Sequence, residues 1–316
     1  MTFPRFAVLA ALLFAACGRP ASLRTFELVV PPFPVPLGQE VQRCYYMKFP
    51  SDVDVDVGSL SLDISPGSHH FQVYVNDENL PDGSEECFRV VDFNRWHLMF
   101  ATQTSAMGWK LPEGVAMHFK ANQQVMIQTH YVNAGALSTP SGIGGGQLHF
   151  HEMKGATTHL GSIFAVNHDI HLPPHQMSSA DAMCPFDHDV KIAALSGHYH
   201  FTGLDFTATH WAPSGADPEP FYKVTGFSDL RFQTWSDADA PSFAAGTAID
   251  WHCDYNNTND YELVFGARES NHEHCNMFAF YWPAEPQEFR VCLKHDSDGV
   301  DTEAPSFDDL PLNQHL

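Results

Sequence analysis

The chain has 316 residues, of which 44% are hydrophobic, so it is long enough for two domains of ordinary size or for one large domain. Its formal net charge is −22, and only 16 residues are Lys or Arg. This acidic balance argues against nucleic acid or an anionic membrane surface as a partner, and it disfavours a strongly anionic substrate.

The N-terminus is expected to be an export signal. Arg5 precedes an apolar run, AVLAALLFAAC, which is too short to span a bilayer and is typical of a signal-peptide core. The run ends in FAACG (14–18), which resembles a bacterial lipobox with Cys17 as the lipidated residue. Phe14 departs from the usual Leu, so ordinary cleavage near Cys17 is the alternative. Residues 1–17 therefore predict an exported protein that is periplasmic, anchored to the outer membrane by a lipid, or secreted.

Export changes how the remaining cysteines are interpreted, because disulfides persist outside the cytosol. The six that follow Cys17 are Cys44, Cys87, Cys184, Cys253, Cys275 and Cys292. An even number is consistent with three bridges, but the sequence alone leaves their pairing open. No CxxC occurs, so neither a zinc ribbon nor a thioredoxin motif is indicated.

Strand signals dominate the rest of the chain. Short runs rich in Val, Ile, Tyr and Phe are bounded by Gly, Pro, Asn and Asp, as strands usually are. Examples are VQRCYYMKFP, HHFQVYVN, VMIQTHYVN, GQLHFHEM, KIAALSGHYHF, PFYKVTGF and NMFAFYWP. Helical periodicity is weak even at the two best candidates, the stretch after the signal and SSADAM (178–183). We therefore predict an all-β fold with enough strands for two sandwiches.

Composition also suggests how the chain is divided. STPSGIGGGQ (138–147) is expected to be a flexible loop between two strands of the first half. A domain boundary fits best around 154–158, which predicts an N-terminal domain over residues 24–155 and a C-terminal domain over residues 156–295. Residues 296–316 are acidic and Pro-rich and are expected to form a loose tail.

Histidines in an HxH pattern can act together on a strand. His198 and His200 flank Tyr199, and residues i and i+2 of a strand share a face, so both imidazoles can reach one ion. An isolated HxH is not specific, and the chain has a second one, His149 and His151. We interpret that second pair as solvated or edge-strand residues without a metal role.

Three further histidine positions add candidate ligands. His69 and His70 are adjacent, so they can bind one ion only at a strand end or a distorted backbone, which PGS (66–68) would supply. His130 lies in a β-rich run and could complete a three-histidine site, and His274 lies in NHEHCNMF. Imidazole binds copper, zinc, iron and nickel, so these groups do not by themselves identify the metal.

The order of these groups resembles the copper type II ascorbate-dependent monooxygenases, the family of peptidylglycine alpha-hydroxylating monooxygenase and dopamine beta-monooxygenase. Members have a Cys followed by aromatic residues, an adjacent His pair, an HY dipeptide, an HxH and a Glu-Met-Cys-Asn stretch. The corresponding segments here are CYYMKFP, SHHF, QTHY, GHYH and EHCN. The likeness covers about residues 40–293, with the landmarks in matching order and spacing.

The resemblance implies two tandem antiparallel jelly-roll β-sandwich domains that face each other across a solvent-filled cleft. It implies an electron-transfer copper in the first domain, bound by His69, His70 and His130. It implies an oxygen-binding copper in the second, where the catalytic ligands are His198, His200 and His274. It also implies the disulfides Cys44–Cys87, Cys184–Cys292 and Cys253–Cys275.

Two departures from the family pattern concern the metal and the substrate. The family's methionine ligand aligns with His274, so we expect an all-histidine second site, with Met277 as the alternative third ligand. Peptide-amidating members have an Arg two residues before the HxH and a Tyr four residues after the Met, where this chain has Ser196 and Phe278. Without the guanidinium that would hold a peptide carboxylate, we expect a small, non-peptide substrate.

The implied activity is hydroxylation of a C–H bond with O2 and ascorbate or another one-electron donor, using two copper ions per chain. The first alternative is an exported copper-binding lipoprotein without oxygenase activity. A zinc hydrolase is a second, but no HExxH occurs and Glu273 is no more than a candidate base. The third, a purely structural sandwich with surface histidines, is disfavoured by the ordered landmarks. No nucleic-acid partner is expected. Contact with a membrane is expected only through the lipid anchor.

Overall fold

The computed structural model describes residues 22–88, 91–133, 139, 141–217, 219–226, 231–266, 268, 271–294 and 300–301. Residues 1–17 with Cys17, and most of the predicted tail, lie outside the described residues. All named elements in the described part are β-strands, which confirms the all-β prediction. None of the described residues forms a helix long and apolar enough to cross a bilayer.

The described part of the chain contains ten strands in its first half and fourteen, several of them very short, in its second half. Those of the first half are β1 (Thr25–Pro34), β2 (Glu40–Lys48), β3 (Val55–Ile64), β4 (Ser68–Asn76), β5 (Gly83–Glu86), β6 (His97–Thr102), β7 (Ala106–Lys110), β8 (Val115–Phe119), β9 (Gln124–Val132) and β10 (Ile143–Glu152). Those of the second half are β11 (Thr158–Asn167), β12 (His171–Leu172), β13 (Gln176–Pro185), β14 (Val190–His198), β15 (Gly203–Ala212), β16 (Gly215–Ala216), β17 (Tyr222–Thr225), β18 (Gln233–Thr234), β19 (Ser242–Phe243), β20 (Ala248–Asn257), β21 (Leu263–Val264), β22 (Asn276–Ala284), β23 (Phe289–Lys294) and β24 (Val300–Asp301).

The first half is a sandwich of two sheets. One sheet has the order β5-β2-β9-β4-β6, and the other contains β1-β10-β3 with β7 and β8 also paired to β3. Strand β1 alternates exposed and buried residues over most of its length, as expected for a strand with one face in water. The buried faces of both sheets share one apolar core, to which Leu28 and Phe150 contribute from one sheet and Phe71 and Ile127 from the other.

The second half repeats this layering with different strands. Strands β23, β11, β22 and β14 form one layer, and β13, β20, β15, β16 and β17 form the other. Ile163 and Tyr281 from the first layer pack with Phe206 and Trp251 from the second in a separate apolar core. Pairing is antiparallel except where β11 pairs with β23 and with β8. The jelly-roll strand order of the two sandwiches stays a prediction.

The two halves are joined by a short parallel strand contact. Thr158 and His159 at the start of β11 pair with Val115 and Ala116 of β8, which merges one layer of each half into a twelve-stranded sheet. The core of the first half also continues into the second, where it includes Phe278 on β22. The halves therefore share buried apolar surface, which fixes the face that each presents to the other.

One local expectation was wrong, and one weak helix candidate forms a strand. The predicted loop 138–147 contains the start of β10, because Ile143–Glu152 is a strand paired with β1 and β3. Gly144 and Gly146 lie where neighbouring side chains leave no space for a Cβ: one built on Gly144 would lie 2.6 Å from the Phe33 ring. The helix candidate 178–183 lies within β13, which pairs with β20 over its full length. Tertiary packing overrides local composition at both sites.

Replacing Gly146 by Ala should destabilise the protein. A Cβ there would lie 2.3 Å from Ile64 Cγ2 and 2.7 Å from Ile64 Cα, and the backbone atom cannot move aside without bending β3. We expect a loss of about 2 kcal/mol in the free energy of unfolding, measured by urea titration. Gly83→Ala is the matched control, since nothing lies within 4 Å of its Cβ position. Equal stability of the two variants would contradict this packing.

Candidate metal centre

Strand β4 presents opposite kinds of side chain on its two faces. Both β4 and β9 are buried along their whole length, because they are central in their sheet and covered on both sides. Phe71 and Val73 point into the core of the first half, whereas His70 and Gln72 line a cavity on the other side. The period of two residues in the strand produces this separation.

The backbone is irregular at the adjacent histidine pair, as the sequence predicted. Gly67 has a φ of 91°, and the register of β4 against β9 shifts between Ser68 and His70. The shift lets neighbouring side chains turn to one side. His69 and His70 are both buried, and their ring centroids lie 5.5 Å apart.

The six predicted ligands form a single cluster. Rings in contact have centroids 4.3–5.8 Å apart, among His69, His70, His130, His198, His200 and His274. His69 joins the two implied sets, because its ring lies 4.8 Å from that of His198 and 5.1 Å from that of His200. One potential ligand atom from each of these three lies within 4.8 Å of the others.

The implied solvent-filled cleft between the two sets is therefore not found. His198 ends β14 and is paired with Asn276 of β22, so the ends of these strands carry it directly against the histidines of β4 and β9. The apolar core that crosses between the halves holds these surfaces in contact. Both histidine sets therefore lie together in one cluster, which is buried except for the partly exposed His274.

For two of the candidate ligands, a hydrogen bond to one ring nitrogen defines the other nitrogen as the atom that can bind a metal. His130 Nε2 lies 3.2 Å from Glu40 Oε2, and His200 Nδ1 lies 2.8 Å from the His272 carbonyl oxygen. A carboxylate and a carbonyl accept, so these nitrogens donate a proton and the other nitrogen of each ring is a bare acceptor. Those atoms, His130 Nδ1 and His200 Nε2, are buried without a hydrogen-bond partner. Such an outer hydrogen bond is the usual support of a metal-binding histidine.

His274 is positioned to share an ion with His198. His198 Nε2 lies 3.0 Å from His274 Nδ1, and two imidazoles on one tetrahedral ion with bonds of about 2.0–2.1 Å would have nitrogens roughly 3.3 Å apart. Met277 instead packs in the core of the second half. Its neighbours Asn276 and Phe278 line the cavity, so Met277 points to the opposite side of β22.

Burial keeps five of these imidazoles, those of His69, His70, His198, His200 and His274, neutral. The pKa of each of His69, His70, His198 and His274 lies well below the ordinary value. Desolvation is the larger cause, and the neighbouring histidines are the smaller one. Desolvation also lowers the pKa of His200 to about 3. Neutral imidazole is the form that binds metal, and buried bare nitrogens are left without another partner. The donor set fits copper, although imidazole alone does not exclude other transition metals.

Glu273 is a site residue that the sequence analysis did not assign to this role. Its side chain is buried, and its two oxygens accept hydrogen bonds from the backbone N–H groups of His200, His274 and Thr202 and from the Thr202 hydroxyl. The pKa of Glu273 is raised to about 7, because the effect of burial outweighs the four hydrogen bonds, which lower the pKa. The carboxyl group thus ties the His200 segment to the His274 segment. The only sign of this role in the sequence was that Glu273 is adjacent to the candidate ligand His274.

A disulfide holds the His274 segment from the other side. The structure contains Cys44–Cys87, Cys184–Cys292 and Cys253–Cys275, the three pairs that the resemblance implied. The Tyr255 hydroxyl donates to the His274 carbonyl at 2.6 Å, and Trp251 Nε1 donates to the Cys275 carbonyl at 3.1 Å. Closing a loop of 22 residues contributes about 3 kcal/mol in the chain-entropy model.

A cavity of about 630 Å³, including space open to solvent, adjoins His70, His198 and His274. One wall carries the amides Gln42, Gln72 and Gln128, and the opposite wall is apolar and includes Phe93, Phe164 and Phe278. No Asp, Glu, Lys or Arg is among its described lining residues. Gln128 Nε2 also contacts the Cys44–Cys87 disulfide, with its nearer sulfur at 3.8 Å. The cavity can therefore enclose an uncharged molecule with an apolar body and a hydrogen-bonding group.

The other histidine pair lies in a different sheet. His149 and His151 are on β10, which pairs with β1 on one side and β3 on the other. Of the two settings expected for this pair, solvated or on an edge strand, the edge strand is therefore wrong. Both side chains are half-buried, and His151 Nδ1 lies 3.1 Å from Thr25 Oγ1. Ser196 is fully buried on β14 and places no cation at the position of the family's Arg.

Fold and site together define an all-β protein with a histidine cluster whose donor set could hold a metal ion. Residues 154–304 match the family model of the copper type II ascorbate-dependent monooxygenase, C-terminal domain. The second half of the chain thus matches the C-terminal domain of this family, which confirms the resemblance. A comparison with curated proteins finds no match.

Two solved structures are remotely similar to this chain. One is the crystal structure of PBCV-1 VP54 fitted into a cryo-EM reconstruction of the virophage Sputnik, with 9% identity, a TM-score of 0.30, and coverage of 85% of this chain and 96% of that one. Another is the structure of infectious bursal disease virus Gx strain, with 7% identity, a TM-score of 0.18, and coverage of 85% and 75%. At these TM-scores the likenesses carry no argument.

Replacing Glu273 by Ala should destabilise the protein and the histidine cluster together. Four buried donors would lose their acceptor, which should lower the free energy of unfolding by about 3 kcal/mol or more. Glu273→Gln should recover only part of this, because an amide has one accepting oxygen. Glu262→Ala, at a half-exposed carboxylate, is the control and should change stability by less than about 0.5 kcal/mol. Similar urea midpoints for Glu273→Ala and Glu262→Ala would rule out the anchoring role.

Proposed function

We propose that this protein is a copper-dependent monooxygenase that hydroxylates a C–H bond of a small, uncharged, non-peptide substrate. O2 and ascorbate or a similar one-electron donor would be the co-substrates. The observation that carries this proposal is the cluster of six histidines, five of them buried and His274 partly exposed, beside a cavity without Asp, Glu, Lys or Arg in its described lining, in a chain whose second half matches the monooxygenase family.

Two copper ions per chain fit the donor set. We assign His69, His70 and His130 to the electron-transfer copper and His198, His200 and His274 to the oxygen-binding copper. When bound, copper would supply the electron transfer and oxygen activation that side chains cannot provide. Burial keeps the imidazoles of His69, His70, His198, His200 and His274 neutral, and Glu40 and the His272 carbonyl orient two of the rings.

The cavity supports an uncharged substrate. The Phe164 and Phe278 rings are stacked with centroids 4.9 Å apart and form part of the apolar wall, where an aromatic or aliphatic body can pack. Gln72 and Gln128 are cross-strand neighbours on β4 and β9 and provide amide groups on the facing wall. No Lys or Arg is among the described lining residues, so the protein itself offers a substrate carboxylate no cationic side chain, and only the copper ions would pair with it.

We further propose that residues 24–155 and 156–295 are two jelly-roll domains of this enzyme. Three disulfides are consistent with an extracytoplasmic protein. Export through the signal in residues 1–17, with lipidation of Cys17 as the only membrane attachment, fits that location. No nucleic-acid partner is proposed, given the net charge of −22.

A copper-binding lipoprotein without oxygenase activity is the second candidate. The all-histidine second site favours it, since imidazole in place of a thioether changes the preference between copper oxidation states. A zinc hydrolase has less support, because both oxygens of Glu273 already accept hydrogen bonds from the protein.

Copper stoichiometry and oxygen uptake test the assignment. Loaded anaerobically with Cu(I), the protein should bind two copper ions per chain, counted by competition with a Cu(I) chelator. His198→Ala should lose one and His130→Ala the other, because each removes a ligand from a different set. His149→Ala is the matched control and should keep both. Two coppers in both ligand variants would refute the assignment, and copper without ascorbate-driven uptake would favour the lipoprotein.

Matched neutral and anionic compounds test the substrate class. 3-Phenylpropanamide should stimulate ascorbate-dependent oxygen uptake, and 3-phenylpropanoate should do so at least about tenfold less at equal concentration, because no Lys or Arg of the described lining would hold its carboxylate. Product formation, followed by mass spectrometry as a gain of one oxygen atom, distinguishes hydroxylation from uncoupled uptake. Equal stimulation by the carboxylate would contradict an uncharged cavity.

A further inference from the structure

A second group of potential ligands lies where the two halves of the chain meet. Asp56 is on β3, His118 is on β8, and His159 is the second residue of β11. Strand β8 pairs with both neighbours here: Asp56 is the register partner of His118, and His159 is the register partner of Ala116. These pairings bring side chains from three distant parts of the sequence together.

The distances among these side chains suit one metal ion. Asp56 Oδ1 lies 2.9 Å from His118 Nδ1 and 3.5 Å from His159 Nε2, and one ligand atom from each residue lies within 4.8 Å of the others. Ligands of a tetrahedral ion with bonds of about 2.0–2.2 Å stand roughly 3.3–3.6 Å apart. Only small side-chain rotations would place all three on one ion.

The surroundings support the group as a site. Asp54 Oδ2 is 4.0 Å from His118 Nε2, on the opposite side of the ring from Asp56, where it can orient the imidazole as an outer carboxylate. The His118 carbonyl accepts a hydrogen bond of 2.9 Å from Gln287 Nε2, so the second half of the chain also fixes this segment. The side chains of Asp56, His118 and His159 are 20–31% exposed, which leaves access for an ion and a water ligand.

We propose that Asp56, His118 and His159 bind a divalent transition-metal ion of the Zn²⁺ type that links the two halves of the chain. Two imidazoles and a carboxylate, with water as a fourth ligand, match the preferences of Zn²⁺. Ca²⁺ and Mg²⁺ prefer oxygen ligands throughout, and Cu(I) prefers softer donors. The competing interpretation is an ion pair between protonated histidines and Asp56, which would bind no metal.

This site is distinct from the six-histidine cluster and does not depend on the proposed function. Val166, which lines the cavity, is seven positions after His159 on β11, and at about 3.3 Å per residue this is roughly 23 Å. The ion would act on the relative placement of the halves, because it joins β3 and β8 to β11 beside their short parallel contact.

Cobalt titration of the full chain tests the proposal. The protein is stripped with a chelator, loaded with Cu(I) under anaerobic conditions with excess ascorbate, and titrated with Co²⁺, whose visible absorption reports its ligands. We expect one Co²⁺ per chain, displaced by Zn²⁺. His118→Ala, His159→Ala and Asp56→Asn should each weaken Co²⁺ binding at least about tenfold, and His149→Ala should not change it.

Folding and copper loading are controlled in the same samples. Each variant should bind as much Cu(I) as the unsubstituted protein, which shows that it is folded. Zn²⁺ should also raise the thermal unfolding midpoint of the unsubstituted protein, and not that of His159→Ala, because ligands that bind only the folded state stabilise it. Absence of Co²⁺ binding beyond the copper sites, or binding that all three substitutions leave unchanged, would overturn the proposal and leave the ion-pair interpretation.

Discussion

Histidine nitrogens buried without a hydrogen-bond partner are the constraint on which the arrangement of this protein depends. His70 Nδ1, His130 Nδ1, His198 Nδ1 and His200 Nε2 are all in this state. Each such atom costs about 1–3 kcal/mol in the folded protein unless an ion or another group occupies it. The surrounding structure must therefore be stable enough to hold these rings together, and the two apolar cores and three disulfides provide that stability.

The fold gives the two walls of the cavity different chemistry. The sheet of the first half has apolar residues toward its own core and a row of amides and histidines toward the second half. The facing layer of the second half presents phenyl and aliphatic side chains, which continue the first core. An uncharged cavity results between them, although the chain has a net charge of −22. The surface charge thus says little about what this interior can bind.

Much of the candidate site was predictable, because its residues occur in short motifs in a fixed order. The bulge at His69 followed from the adjacent pair and from the glycine before it. The role of Glu273 was not predictable, because its donors come from a segment about seventy residues earlier in the chain. The strand character of Gly144–Gly146 was also hidden, since glycines indicate a loop unless the neighbouring side chains that occupy their space are known.

The sequence by itself determined the all-β class and the candidate ligands, because alternation along strands and motif order are local properties. Only the tertiary structure decided that the two histidine sets touch through His69, and that Asp56, His118 and His159 meet at the junction. Both outcomes depend on the register of strands distant in sequence and on how two buried surfaces pack. No local pattern encodes these, because register and sheet packing are selected by burial of the whole apolar surface.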